Sequence, residues 1–293
     1  MRIMSACGFV RSRPDAGLFA GCVARHGYAF FLFTGVSMVS RSMQTWDADS
    51  YAKEARFVSE LGMPVIRLLA PKFHERILDL GCGDGYLAQQ MMLMGCDVVG
   101  VDSSRELVEA AKARGVDARV MNAEALTFKA EFDGVFSNAA LHWMVHLDKV
   151  MTGVFRALKA GGRFVVECGG KGNVKAIREG IEYAFARRGL DGYALPKPWH
   201  FPDVAETKKL LEAAGFIVES IELFERPTPL PGDVGGWVST FAKDFLASFD
   251  AQDREDFLND VIGHCRPKLM QPDGTWVADY VRLRFLADKP ASL

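Results

Sequence analysis

Paired cysteines are missing from this chain. Its six cysteines, Cys7, Cys22, Cys82, Cys96, Cys168 and Cys265, lie far apart, with no C-x-x-C pair and no cysteine/histidine spacing of a metal-ligand set. That argues against a disulfide framework or a metal site and points to reduced thiols in a cytosol-like compartment. A surplus of either charge is also lacking. Lys plus Arg (35) nearly balances Asp plus Glu (37), and the net charge of -2 provides no global field for a polyanion such as nucleic acid. A small-molecule partner is therefore expected, in a monomer or homodimer. The apolar run "YAFFLFTGVSMV", about a dozen residues, is too short to span a bilayer, so no stable membrane insertion is expected. Repeats and low-complexity tracts are absent.

The first forty residues differ from the rest, and residues 1–42 read as an N-terminal extension. Arg2, Arg11, Arg13 and Arg25 face a single acid, Asp15. Three readings fit this extension: an organelle-targeting segment, a disordered tail, or an upstream start with Met38 or Met43 as the true beginning. No catalytic role is assigned to it, and a cytoplasmic location is the default.

What is present is a regular alternation. "SYAKEARFVSELGMPVIRLLA" has an amphipathic helical pattern interrupted near Gly62-Met63-Pro64, predicting two helices before the first strand. "RILDL" reads as a short buried strand, "GYLAQQMMLMG" as a helix stopped by Gly95, "DVVGVD" as a second strand and "SRELVEAAKARG" as a helix stopped by Gly115. "ARVMNA" and "FDGVFSNAAL" are the third and fourth strands, "LDKVMTGVFRALKAGG" a helix with a Gly-Gly stop, and "RFVVECGG" the fifth strand. This order implies an α/β fold with a doubly wound, mostly parallel sheet. Two further helices follow, and then two strands, "IVESIELFERP" and "WVADYVRLRFLA", separated by a helical insertion.

The loop after the first strand, "LDLGCGDG", places Gly81, Gly83 and Gly85 as G-x-G-x-G. A dinucleotide fingerprint needs its third glycine three residues after the second, and a Walker A loop needs Gly-Lys-Ser/Thr; neither is here. Asp79 suits a cationic group and opposes a pyrophosphate. Asp102 closes the second strand about twenty residues on, where a carboxylate can accept both hydroxyls of a ribose. A nucleoside with positive charge and no phosphate describes S-adenosylmethionine.

From Ile77 to Cys168 the chain resembles class I S-adenosylmethionine-dependent methyltransferases, through "LDLGCGDG", "VVGVDSS", "MNAEAL", "FDGVFSNAALHWM" and "LKAGGRFVVE". The resemblance implies a Rossmann-like, seven-stranded sheet with an antiparallel last strand and a helical lid. It implies that Asp79, Gly81 and Gly83 line the methionine moiety, Asp102 the ribose, and Asn122 with Ala123 the adenine, with Ser103 and Asn138 also on the cofactor side. Asn122 departs from the more usual aspartate but keeps a carbonyl acceptor. Ser103 has an alternative role as a helix cap.

"SNAALHWM" and the earlier "WDADSY" resemble the trans-aconitate methyltransferase group and its relatives that methylate free carboxylates, over roughly Trp46 to Ala287. Residues 43–293 are then one methyltransferase domain: lid helices (43–74), cofactor core (75–170) and substrate-side elements (171–293). Trp46 and Tyr51 belong to the lid, with Tyr51 a candidate catalytic contact. His142 is the other, as a hydrogen-bond donor or wall, or as a base if the acceptor is a hydroxyl or amine. Trp143, Glu167, Lys171, Asn173, Trp199 and His200 are the candidate acceptor contacts, and Arg226 reads as a surface residue. Methylation of a hydroxyl or amine on a natural product is the alternative activity. A cofactor-binding partner protein without catalysis is a second alternative, and an NAD-dependent oxidoreductase is disfavoured by the glycine spacing and Asp79.

Overall fold

The computed structural model describes residues 61–190, 198–247 and 249–291. The helix expected over residues 50–60, and the candidates Trp46 and Tyr51, lie outside them, as does the N-terminal extension. The described chain begins with α1 (Met63–Leu69), which has a proline in its first turn and Ala70 in a left-handed conformation at its end. The alternation follows as β1 (Arg76–Leu80), α2 (Tyr86–Leu93), β2 (Asp97–Asp102), α3 (Arg105–Ala113) and β3 (Asp117–Val120). Then come β4 (Phe132–Asn138), α4 (Leu147–Ala157) and β5 (Leu158–Gly169). The remainder comprises α5 (Lys175–Ala186), α6 (Val204–Ala214), β6 (Ile217–Pro229), α7 (Val234–Phe241), α8 (Ala251–Leu269) and β7 (Val277–Asp288).

The seven strands form one sheet in the order β3-β2-β1-β4-β5-β7-β6. β1 to β5 pair in parallel, and β7 runs antiparallel to both β5 and β6. The fold is thus the doubly wound, Rossmann-like one that the alternation implies. Because β1 has β2 on one side and β4 on the other, their connections leave to opposite faces and open a crevice at the strands' carboxyl ends.

Side-chain alternation divides the core. Leu78 and Leu80 of β1 pack with Val135, Val150 and Leu211 on one face. Ile77 packs with Ile66, Ala88 and Val108 on the other, so α1, α2 and α3 cover that side. A third cluster joins Ile177 of α5, Trp237 of α7 and Phe257 and Val261 of α8 with Ala278 of β7. The insertion therefore shares a separate core with α5 against the start of the last strand.

Local structure follows the expected chemistry, with four corrections to detail. Gly95 and Gly115 have φ of 88° and 87°, one residue beyond the caps of α2 and α3, as helix stops require. Ser104, not Ser103, caps α3: its hydroxyl accepts from the Leu107 N–H. The third strand ends at Val120, because Asn122 turns the chain into a short 3₁₀ turn over Ala123–Ala125. Gly161 and Gly162 do not stop α4. That helix ends at Ala157, and Leu158 already pairs with Phe132 of β4, so both glycines lie within β5. The Gly161 N–H donates to the Lys289 carbonyl just beyond β7. Arg226 is not a surface residue; it reaches the buried carboxylate of Glu167 at 2.6 Å.

Candidate active site

The glycine loop is shaped by contacts at both ends. Gly81, Gly83 and Gly85 all adopt positive φ (78°, 55° and 79°), where a side chain is strained. A Cβ on Gly81 would stand 2.3 Å from the Ala140 methyl, so the loops after β1 and β4 touch only because position 81 has none. The N–H groups of Gly81 and Cys82 both donate to the Val101 carbonyl, folding the loop over β2. Arg114, at the end of α3, donates to the Asp84 carbonyl and carboxylate, fastening the loop's outer edge.

Two carboxylates lie under this loop. Asp102 accepts the Gly83 N–H at 3.0 Å and the Ser104 N–H at 2.9 Å. Burial raises its affinity for a proton against the pull of those backbone donors. Two oxygens offer about four acceptor sites, so lone pairs remain for a ligand's hydroxyls. Asp79, at the carboxyl end of β1, is 2% exposed, and its Oδ2 has no hydrogen-bond partner. Burial first, then the charges of Asp102 and Asp84, push its carboxyl up to about 8. A buried acceptor left without a partner can be completed by a cation with N–H donors.

Across the crevice, β4 ends at Asn138, and Ala139 enters a left-handed conformation with φ of 56°. A 3₁₀ turn over Leu141–Trp143 then places His142 and Trp143. His142 is buried, and its Nδ1 accepts the Gly169 N–H at 3.2 Å, so the proton of the neutral ring sits on Nε2. Burial, and secondarily the charge of Arg282, lower its pKa to about 3. The ring is a neutral donor at physiological pH, and this geometry opposes the general-base role.

The rest of the wall is aromatic. Trp199 stacks on Phe201 at 6.0 Å with 15° between their planes and lies 5.8 to 5.9 Å from Trp237 and Trp143. Phe241 packs on Trp237 at 5.3 Å, and the Trp237 indole N–H donates to the Tyr280 hydroxyl at 2.6 Å. One cation interrupts this surface. Arg282, 7% exposed, projects from β7, and its Nε donates to Glu167 Oε1 at 3.2 Å. Glu167 is fully buried, and its Oε2 accepts from Arg226 and Arg284 as well. Burial opposes its ionisation, but the three guanidiniums outweigh burial and hold its carboxyl below the usual range.

A single cavity, about 740 Å³ including its open side, joins these parts. It brings together the sequence candidates Gly81, Gly83, Asp102, Asn138, His142 and Trp143, with Asn173 and Trp199 from beyond β5. Asn173 is fixed by accepting the Val281 N–H on its Oδ1. Other candidates sit elsewhere. Ser103 is exposed; Asn122 uses its Oδ1 on the Glu124 N–H; neither they nor Ala123 line the cavity. Lys171 is an exposed residue paired with Asp203, and His200, also exposed, is paired with Glu206. Glu167 anchors the arginines from behind; it is a wall of a smaller neighbouring cavity shared with Arg226, Tyr280 and Arg282. Phe201, Trp237, Phe241, Tyr280 and Arg282 were not singled out in the sequence. The legible signal was the alternation Tyr280, Arg282, Arg284 in the last strand, which sets polar side chains on one face opposite Val281, Leu283 and Phe285.

Among the described residues no helix is long and apolar enough to cross a membrane. A methyltransferase-domain family model matches residues 78–166. An uncharacterized methyltransferase of Schizosaccharomyces pombe is 38% identical over 259 residues, covering 83% of this chain and 98% of that protein. The trans-aconitate 2-methyltransferase of Rhodococcus jostii is 32% identical over 187 residues, 60% of this chain and 72% of that one. Among solved structures, the YcgJ protein of Bacillus subtilis superposes with a TM-score of 0.56 at 21% identity, over 78% of this chain and 97% of that chain, a likeness of fold.

Proposed function

This chain belongs to the S-adenosylmethionine-dependent methyltransferase family, and from that premise we propose that it methylates a carboxylate oxygen of a small molecule. The observation that carries this reading is the buried guanidinium of Arg282, set in the wall of the cavity that Gly81, Gly83 and Asp102 also line. A guanidinium binds a carboxylate through paired, charge-assisted hydrogen bonds, and burial strengthens that preference over neutral hydroxyls or a cationic amine.

The glycine side fits the cofactor. Asp79 offers its unpartnered Oδ2 to an ammonium, Gly81 and Gly83 allow close approach of backbone, and Asp102 keeps acceptor capacity for ribose hydroxyls. Asn138 flanks the same space, and Asn122 with Ala123 stay assigned to the adenine on the family pattern alone. Bound S-adenosylmethionine supplies a methyl group on a sulfonium, a carbon already activated for in-line displacement. The chain's own residues then position the acceptor. Arg282 binds and turns the carboxylate, His142 donates from Nε2, and the aromatic wall keeps water out. A carboxylate is already deprotonated at neutral pH, so no base is needed. That agrees with a histidine held neutral by burial.

The test uses the full chain with methyl-labelled S-adenosylmethionine and panels of carboxylic acids, phenols and amines. Label should appear in a product that mild base hydrolyses to methanol, as an ester does. Label confined to base-stable ethers or methylamines would refute the carboxylate reading.

A further inference from the structure

We infer that the acceptor is a monocarboxylic acid with a flat, apolar, π-rich body. The inference rests on the carboxylate reading above and adds the rest of the molecule. The first observation is a charge count. Beside the cavity, among the described residues, Arg226, Arg282 and Arg284 face two carboxylates, Glu167 and Glu222. One positive charge is left over, and Arg282 is the arginine of this group that lines the main cavity. One cation complements one carboxylate.

The second observation is what surrounds it. Beyond Arg282 most of the wall's large side chains are aromatic, Trp143, Trp199, Phe201, Trp237 and Phe241. Ring faces carry negative quadrupole charge, so a second carboxylate there would lose its water and meet repulsion in exchange. Of the other described cations nearby, Lys171 is turned to the surface and paired with Asp203, and Arg178 lies over the Phe201 ring; neither lines the cavity. A polycarboxylate would thus find no second cation among the described lining residues, only neutral polar groups such as those of His142, Asn173 and Tyr280. A flat ring or conjugated chain meets rings instead and gains offset or edge contacts beyond plain apolar burial. Trp199, nearly parallel to Phe201, is the centre of that wall. The reaction itself also favours turnover here. The carboxylate oxygen forms a bond to the methyl carbon as the carbon–sulfur bond breaks, the sulfur keeps the electron pair, and the ester produced is neutral. It therefore loses its attraction to Arg282, while the apolar body alone holds it.

The experiment compares initial rates of the full chain on benzoate, 3-phenylacrylate and indole-3-acetate with 3-cyclohexylpropanoate and trans-aconitate, with 4-methylphenol and 2-phenylethylamine as other acceptor classes. Binding of each acid to the protein saturated with S-adenosylhomocysteine is measured in parallel. At least one aryl acid should exceed trans-aconitate by a hundredfold or more in kcat/KM, and the cyclohexyl acid by about threefold to tenfold. Trp199→Leu should remove the aryl-over-cyclohexyl preference while affinity for S-adenosylhomocysteine is kept, which also shows that the variant is folded. Equal or better use of trans-aconitate would overturn the inference and leave the carboxylate reading standing. Methylation of the phenol or amine alone would bring down both. Failure of every aryl acid to bind the S-adenosylhomocysteine complex would overturn the inference outright.

Discussion

The backbone N–H of Gly169 donates to Nδ1 of His142, and this one contact at 3.2 Å decides which ring nitrogen faces an acceptor. Gly169 ends β5 and His142 follows β4, so the pairing of two parallel strands sets the tautomer. With its pKa lowered to about 3 by burial and then by Arg282, the ring should not titrate between pH 5 and 8. At saturating cofactor, kcat should show no limb from a histidine in that range. His142→Asn, which keeps a donor, should retain activity within about a hundredfold. A fall beyond about a thousandfold, with cofactor affinity intact, would mark a general base.

Asp79 should make cofactor binding pH-dependent. Its carboxyl is neutral below about 8 in the free protein, because burial and then Asp102 and Asp84 resist its ionisation. An ammonium ligand favours the ionised form, so binding below that pH releases a proton, and affinity should climb with pH and level off above about 8. Calorimetry of S-adenosylhomocysteine in buffers of different ionisation enthalpy reads the proton release directly. Asp79→Asn should abolish the slope. Stability of the free protein should follow the opposite course. The folded pKa lies above the unfolded value of 3.8, so the contribution of Asp79 is greatest below 3.8 and is lost as pH rises through about 8, at about 1.4 kcal/mol per pH unit between.

Asp102→Ala should weaken S-adenosylhomocysteine binding by about 1.5 to 3 kcal/mol, the range for hydrogen bonds to a charged group. The substitution also frees the N–H groups of Gly83 and Ser104, so the loop itself should loosen. Equilibrium binding of the folded variant checks the first effect, and amide hydrogen exchange at positions 83 and 104 checks the second. Unchanged affinity would refute the ribose assignment.

Glu167→Gln should be costly to the fold, because one buried carboxylate faces Arg226, Arg282 and Arg284 together. Removing one partner of a buried ionic cluster costs on the order of 3 to 5 kcal/mol. Although burial opposes ionisation of Glu167, the arginines hold its folded pKa below 4.5, so its stabilisation is present above about 4.5 and is lost as pH falls through the folded value. Urea unfolding at pH 7 should show the loss in the variant, and the gap from the parent protein should narrow in acid. Arg282→Gln should spare more stability and instead raise the KM for carboxylate acceptors.

The order of strands and helices, the bend at the glycine loop and the acid that ends β2 were determined by sequence alone. Each is local: a positive φ admits glycine over neighbours, and burial periodicity needs only adjacent residues. Where a local signal had two readings, contacts between distant segments chose. Gly161 and Gly162 look like a helix stop, yet Leu158 had already been taken up by Phe132 of β4. Ser103 and Ser104 are equivalent as text, and one hydroxyl reaches the Leu107 N–H. Lys171 and His200 carry suitable chemistry but point outward, whereas Arg226 looked like a surface residue and meets a buried glutamate. The acceptor wall was decided almost wholly by tertiary structure. Arg282 lies more than a hundred residues from Glu167, to which its side chain donates; in the antiparallel register of β5 and β7 it stands opposite Gly169. No spacing rule spans that distance, because the register of two strands so far apart is set by packing of the whole sheet.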